Sequence, residues 1–217
     1  MEVSQVPPVA GDTESAILTA ARDLLAEGGL EALSMRAVAA RVGTTPTAIY
    51  HYFQNKEDLV SQVVARGFQR SEAHLWRAIE AFPVGSIERL AVLGQGYIRF
   101  AIEHKPYFKV IFGIQTDQPR KLDDVPGRGG YGVLRHCVVD AMEAGTIRQA
   151  DPDIVVLFLW SIVHGLVTIT MACESDSLLQ GSAIEVPDGE TAPGFLYKQF
   201  RDLIDMGLVP IESEATT

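Results

Sequence analysis

Apolar residues recur along this chain at intervals of three and four, and no stretch sustains the alternation of a half-buried strand, so the pattern predicts an all-α protein. Asp12 or Thr13 can cap a first helix whose Ile17, Ala21, Leu24 and Leu25 form one stripe and which ends at Gly28-Gly29. Ser34 caps a second. Leu33 before that cap and Val38 four positions into the helix have the spacing of a hydrophobic staple. Met35, Val38, Ala39 and Val42 share its inner face, which leaves Arg36, Ala40 and Arg41 outside. Thr45 caps a third helix of about two turns, with Pro46 at the first position, where a missing N–H costs nothing. Ile49, Tyr52 and Phe53 point inward from it, while Thr47, Tyr50 and His51, at i, i+3 and i+4, occupy the opposite face. Asn55 caps a long fourth helix that runs toward Phe82-Pro83, its first turn carrying Glu57 and Asp58 where the dipole favours acid.

Farther on, Ser86 starts a helix that ends before Pro106, and the short apolar PYFKVIFG follows at 106–113. Residues 115–130 are rich in turn formers and read as a connection, after which a helix covers Tyr131 to Ala144 and stops at Gly145. Asp151-Pro152-Asp153 opens a strongly apolar helix. A polar loop over 175–194 leads to a last amphipathic helix with Leu196, Phe200, Leu203 and Ile204 on one face. There is no internal repeat and no low-complexity tract.

The run from Ile154 to Cys173 is twenty residues without a formal charge, about the length that spans a bilayer. Its flanks are Asp151, Asp153, Glu174 and Asp176, with no cluster of Lys or Arg to set a topology, and His164 and Gly165 lie near its centre. It reads as a buried helix. A helix apolar all round needs neighbours on every side, and a second subunit is an ordinary way to supply them.

A hydrophobic share of 47% over 217 residues supports a substantial core. Cys137 and Cys173 are too few for a disulfide framework and have no metal-ligand spacing, so a reducing cytoplasm is expected, with no metal and no cofactor. The opening MEVSQVPPVAGDTES lacks the basic start and apolar run of a signal peptide and reads as a loose end. A net charge of −10 opposes the approach of nucleic-acid phosphates, so local charge has to decide. Residues 32–56 contain neither Asp nor Glu, and in sequence Arg36, Arg41 and Lys56 stand unopposed there. The same stretch holds two helix patterns joined through Gly43-Thr44-Thr45, the layout with which a helix-turn-helix lays its second helix in a DNA major groove.

SMRAVAARVGTTPTAIYHYFQNKEDL resembles the DNA-binding motif of the TetR family of bacterial regulators. Ser34, Arg36, Gly43, Tyr50, Phe53 and Lys56 occupy the family's positions, while Thr44 and Thr47 stand where apolar and small residues are common. The resemblance implies an N-terminal three-helix DNA-binding domain with a helix-turn-helix, plus a C-terminal helical bundle for ligand binding and dimerisation. It divides the chain into a flexible 1–11, a DNA-binding 12–60 with its motif at 34–53, a C-terminal domain 61–207 and a tail 208–217. It further implies a homodimer that reads half-sites of a double-stranded operator about 34 to 36 Å apart. By position, Thr45, Thr47, Tyr50 and His51 face the groove, Ser34, Arg36, Tyr50 and Lys56 face phosphate, and Thr44 and Pro46 complete the turn that presents them.

Trp160-x-x-x-His164-Gly165 is similar to the Trp/His/Gly signature of one TetR C-terminal subclass, and PYFKVIFG to another of its segments. His164 is read as a core histidine satisfied by a neighbour or as a ligand contact, and Gly165 as a place where another helix comes close. A ligand cavity is expected from the family. Tyr97, Phe100, Phe108, Phe112, Met142, Trp160 and His164 are its candidate lining, for a small apolar or aromatic effector, although aromatics at helical spacing are more often simple core. The helices at 151–174 and 195–206 are the expected dimer contact. Asp151-Pro152-Asp153 is a cap, Gly127-Arg128-Gly129-Gly130 lacks a P-loop Lys, and no Ser or Cys has a nucleophile's setting, so catalysis finds no support. The expected function is a cytoplasmic repressor released from its operator by the effector. An all-helical enzyme or carrier that retains the motif, and a regulator anchored by 154–173, are the alternatives.

Overall fold

In a computed structural model, which describes residues 10–113, 129–172, 179 and 184–209, every regular element is a helix, as the spacing of apolar residues requires. The order is α1 (Ala10–Ala32), α2 (Met35–Val42), α3 (Pro46–Tyr50), α4 (Lys56–Ile79), α5 (Ile87–Glu103), α6 (Lys105–Gly113), α7 (Gly129–Glu143), α8 (Pro152–Ala172) and α9 (Ala192–Leu208). α1 starts at Ala10, so Asp12 and Thr13 lie inside its first turn rather than before it. Gly28 and Gly29 break its helical backbone, Gly29 at φ 65°, a conformation that costs glycine little. The connection expected over 115–130 falls outside the described residues up to 128, and Gly129 and Gly130 already belong to α7. α9 begins at Ala192, inside the stretch expected as loop, because Thr191 caps it by accepting from Gly194 N, with Pro193 in its first turn.

Two compact units form. One comprises the described residues of Met1–Arg70 and His104–Pro126, so α6 packs with the N-terminal helices although it follows α5 in sequence. Ile17, Ala21, Leu25, Leu33, Val38, Ile49, Phe53, Leu59 and Val63 are its buried centre. α6 lies so near α4 that a methyl group on Gly67 would press on Ile111. The guanidinium groups of Arg22 and Arg70 both rest on the Tyr107 ring, 4.8 and 5.2 Å from its centroid.

The second unit comprises Ser71–Glu103 and the described residues from 129 on. Leu75, Leu93, Tyr97, Phe100, Val133, Val138, Val156, Val163 and Tyr197 are buried there. Arg89 caps α4 from within, its Nη1 donating to the carbonyls of Ile79 and Phe82 at 3.0 and 2.7 Å. Among the described residues, α8 is the helix long and apolar enough to cross a membrane by length and composition. Its Val155, Val156, Val163, Leu166 and Val167 are buried in the unit, whereas Ile154, Leu157, Phe158 and Ile169 are exposed, so the described residues cover a single side of it. On α9 the inward position is Tyr197. Leu203, expected on the inner face, is exposed, because the face that meets α5 and α8 is the one bearing Tyr197, Ile204 and Leu208.

Candidate nucleic-acid interface and ligand cavity

Two side-chain caps fix the helix-turn-helix. Ser34 Oγ accepts from Ala37 N at 3.1 Å and Thr45 Oγ1 from Ala48 N at 3.3 Å, each satisfying an amide that its helix leaves without a partner. Between them Gly43 adopts the left-handed φ of 73° that closes α2, and Thr44 N returns to Ala39 O at 2.9 Å. Met35, Val38, Ala39 and Ile49 are buried, and so is Leu33 before the cap.

α3 is shorter than two turns. Its helical backbone runs from Pro46 to Tyr50, with His51 as its cap. Tyr52 N and Phe53 N then both bond Ile49 O as the chain turns away. Phe53 is buried as expected, but Tyr52 is 36% exposed, since the helical face that would have carried it inward ends two residues earlier. Thr47, Tyr50 and His51 point to solvent, with Tyr50 54% exposed. α4 starts on a reciprocal cap: Asn55 Oδ1 accepts from Asp58 N at 2.8 Å, and Asp58 Oδ2 from Gln54 N at 2.8 Å. The Gln62 amide and, after it, the Gln54 N–H donate to the Asp58 carboxylate and hold it below its ordinary value.

The cations of this region are not unopposed in space. Arg41 forms a two-pronged pair with Glu27 of α1, at 2.9 and 3.0 Å, which a window limited to 32–56 could not reveal. Lys56 Nζ donates to Leu30 O at 2.6 Å. Arg36 is exposed and has no ionic partner among the described residues.

The second unit holds a cavity of about 70 Å³, walled by side chains of α5, α7, α8 and α9 and by Leu75. Leu90, Leu93, Leu134, Leu159, Val163 and Ile204 make its surface apolar. Beside it runs a hydrogen-bonded chain: Trp160 Nε1 donates to Tyr97 Oη at 3.3 Å, and Tyr97 Oη lies 2.7 Å from His164 Nδ1. Burial lowers the His164 pKa below its ordinary value and so favours the neutral ring, in which the tautomer decides whether Nδ1 accepts from the Tyr97 hydroxyl or donates to it. Burial likewise pushes the Tyr97 phenol well above its ordinary value.

The comparisons with known proteins agree with both halves of this geometry. Residues 17–63 match the family described as "Bacterial regulatory proteins, tetR family", and residues 90–178 match "Tetracyclin repressor-like, C-terminal domain". The chain belongs to the TetR family. Over 68 residues it is 32% identical to the HTH-type transcriptional regulator UidR of Escherichia coli K12, covering 31% of this chain and 35% of UidR. Over 110 residues it is 29% identical to the HTH-type transcriptional repressor KstR2 of Mycolicibacterium smegmatis, covering 51% of each. These alignments thus span between about a third and a half of the relatives' length. A solved structure of a protein of unknown function from Rhodococcus sp. RHA1 superposes with a TM-score of 0.76 over 95% of this chain and all of that one, at 24% identity, a likeness of fold.

Within this TetR-family chain, Tyr97 and Trp160 of the expected lining do border the cavity. His164 sits behind them, satisfied by Tyr97. Phe100 is packed edge-on to His74 and Met142 is buried, both in the core of the second unit and outside the cavity wall. Phe108 and Phe112 belong to the first unit, where their rings meet at 4.8 Å and Phe112 stands edge-on to Phe68, so they do not reach the cavity. A side chain at Gly165 would meet open space, so no helix of this chain uses that glycine for close approach among the described residues. Sequence reasoning missed Tyr197, Arg201 and Asp205 of α9, which line the cavity. Their i, i+4, i+8 spacing was a readable signal, but the stronger apolar stripe of Leu196, Phe200 and Leu203 drew the face elsewhere.

Proposed function

We propose that this chain is a one-component transcriptional repressor that binds a two-fold operator as a homodimer and leaves it when a small apolar or aromatic molecule occupies the cavity of the second unit. The observation that carries the reading is the solvent-facing Thr47, Tyr50 and His51 of α3, presented by two capped helices. Thr45 and Thr47 enter the groove with them, Thr44 and Pro46 shape the turn, and Ser34, Arg36 and Lys56 meet phosphate. Residues 12–60 serve DNA binding and 61–207 effector binding and dimerisation, within the cytoplasm. The dimer forms through 151–174 and 195–206, which the exposed Ile154, Leu157, Phe158 and Ile169 of α8 and Leu203 and Met206 of α9 support. Tyr97 and Trp160 contact the effector. KstR2 carries the name of a repressor, which favours repression over activation here.

The test is selection of bound sequences from random double-stranded DNA at stated salt. A two-fold-related site should be enriched, with half-sites about one helical turn apart. Recovery of no such site at low salt would remove the reading.

A further inference from the structure

The polar groups that border the cavity are turned to partners inside the protein. Trp160 Nε1 gives its single hydrogen to Tyr97 Oη at 3.3 Å, and that oxygen also meets His164 Nδ1 at 2.7 Å. Tyr197 Oη donates to Ala91 O at 2.9 Å and sits so close over Gly94 that a methyl group there would overlap it. Arg201 and Asp205 oppose each other's charge one turn apart on α9, as a partly exposed pair in which Arg201 Nε has no accessible surface. What the wall holds out to a ligand is hydrocarbon, from residues such as Leu90, Leu134, Leu159 and Val163.

We propose that the effector of this cavity is a small unfunctionalised hydrocarbon, and that the site rejects the alcohol or acid built on the same skeleton. The inference rests on the reading of the cavity as the effector site. Moving a hydroxyl out of water against a wall with no waiting partner forfeits its hydrogen bonds, and a carboxylate forfeits far more. A bare skeleton loses no hydrogen bond and gains contact with aliphatic side chains. Water is excluded on the same ground, since it needs about two to four polar partners however much room it has. An apolar cavity of about 150 Å³ stays dry and holds benzene, so a space of about 70 Å³ suits a body smaller than that ring. A regulator with such a site answers to a hydrocarbon before oxygen is introduced into it and is silent to the oxidised product.

The experiment is an NMR titration of the full chain, free of DNA, with cyclopentane, cyclopentanol and cyclopentanecarboxylate, following the methyl groups of Leu90, Leu134 and Val163. The methyl groups of Val38 and Leu59, buried in the first unit, report binding elsewhere. Cyclopentane should bind at the cavity methyls about ten-fold tighter than cyclopentanol, the scale of one buried hydroxyl left unpaired, and the carboxylate should not move them. Tyr97→Phe releases Trp160 Nε1, so it should narrow the gap by improving the alcohol alone. Cyclopentanol bound as tightly as cyclopentane, a cavity response to the carboxylate, or no cavity response to cyclopentane overturns the inference, whether or not Tyr97→Phe folds. A folded Tyr97→Phe with an unchanged gap overturns it as well, because the internal hydrogen bonds would then not set the preference. Because no DNA is present, these outcomes are independent of the operator selection. An enriched operator without hydrocarbon preference would defeat the ligand class alone, and the preference without an operator would leave the class standing.

Discussion

Tyr97 Oη on α5 lies 2.7 Å from His164 Nδ1 on α8, and the same oxygen accepts from Trp160 Nε1 at 3.3 Å, so one hydroxyl ties both signature residues of α8 to α5. Trp160 and His164 are one turn apart, which lets them reach a common partner. Tyr97→Phe keeps the ring and deletes that oxygen, removing one hydrogen bond from each of Trp160 and His164. The expected loss is about 1 to 3 kcal/mol of unfolding free energy, read from the shift of the urea midpoint at constant slope. A midpoint within error of the parent would mean the bonds contribute nothing net.

His164 makes stability depend on pH in a definite direction. Its folded pKa is depressed below 6.5 by burial, so the unfolded chain takes up the proton first as pH falls. The contribution is complete above pH 6.5 and is lost as pH drops from there toward the folded value. The protonated ring has a donor at both nitrogens, so Nδ1 can then only donate to the Tyr97 hydroxyl. Comparing urea unfolding of the parent and His164→Asn between pH 7.5 and 5.5 isolates this histidine from the other four. The difference between them should shrink on acidification, and an NMR midpoint for His164 at or above 6.5 would contradict the assignment.

The Arg41–Glu27 pair sets how much positive charge the DNA-binding face presents. Both groups are largely exposed, so their mutual attraction adds little to stability. Glu27→Gln should therefore leave the melting temperature nearly unchanged while freeing Arg41. Binding to random-sequence DNA should tighten, and the slope of log K against log salt should steepen by up to about one unit. An unchanged slope would show that Arg41 does not meet phosphate even when released.

How far the sequence could be read depended on whether the deciding contact was local. The caps at Ser34, Thr45 and Asn55 were legible because each acts within three residues of itself. Tyr52 was misplaced because helical spacing was carried past the point where α3 stops. Glu27 lies 14 residues from Arg41, and nothing in a local charge count joins them. The cavity was half legible for the same reason. Tyr97 and Trp160 announced themselves as large aromatics on apolar faces, but aromatics at 108 and 112 look no different, and only the packing of α6 with α1 assigns them elsewhere.

Gly94 is required by a neighbour 103 positions away. The Tyr197 ring fills the space where a side chain at 94 would project, and this places Tyr197 Oη against Ala91 O at 2.9 Å. Burial in that slot pushes the Tyr197 phenol up to about 12. Gly94→Ala should destabilise the fold by about 1 to 3 kcal/mol despite alanine's better helix propensity, because the ring must move. Tyr197→Leu removes both the ring and the hydrogen bond. The two changes together should cost less than their sum, with a coupling of at least about 0.5 kcal/mol in a double-mutant cycle. Strict additivity would deny the contact.

Two threonines two residues apart should separate stability from recognition. Thr45 spends its hydroxyl on Ala48 N, so Thr45→Ala removes a cap and should cost about 0.5 to 2 kcal/mol of stability, weakening DNA binding chiefly by loosening α3. Thr47 is exposed on the outward face and caps nothing, so Thr47→Ala should leave the urea midpoint in place. If it reads a base edge, its loss relaxes preference at one position of each half-site by about 1 to 3 kcal/mol while affinity for random DNA and the salt slope stay constant. Repeating the selection with each variant distinguishes the two. A Thr47→Ala variant that enriches the parent's site with undiminished preference would place the sequence reading on Tyr50 and His51 instead.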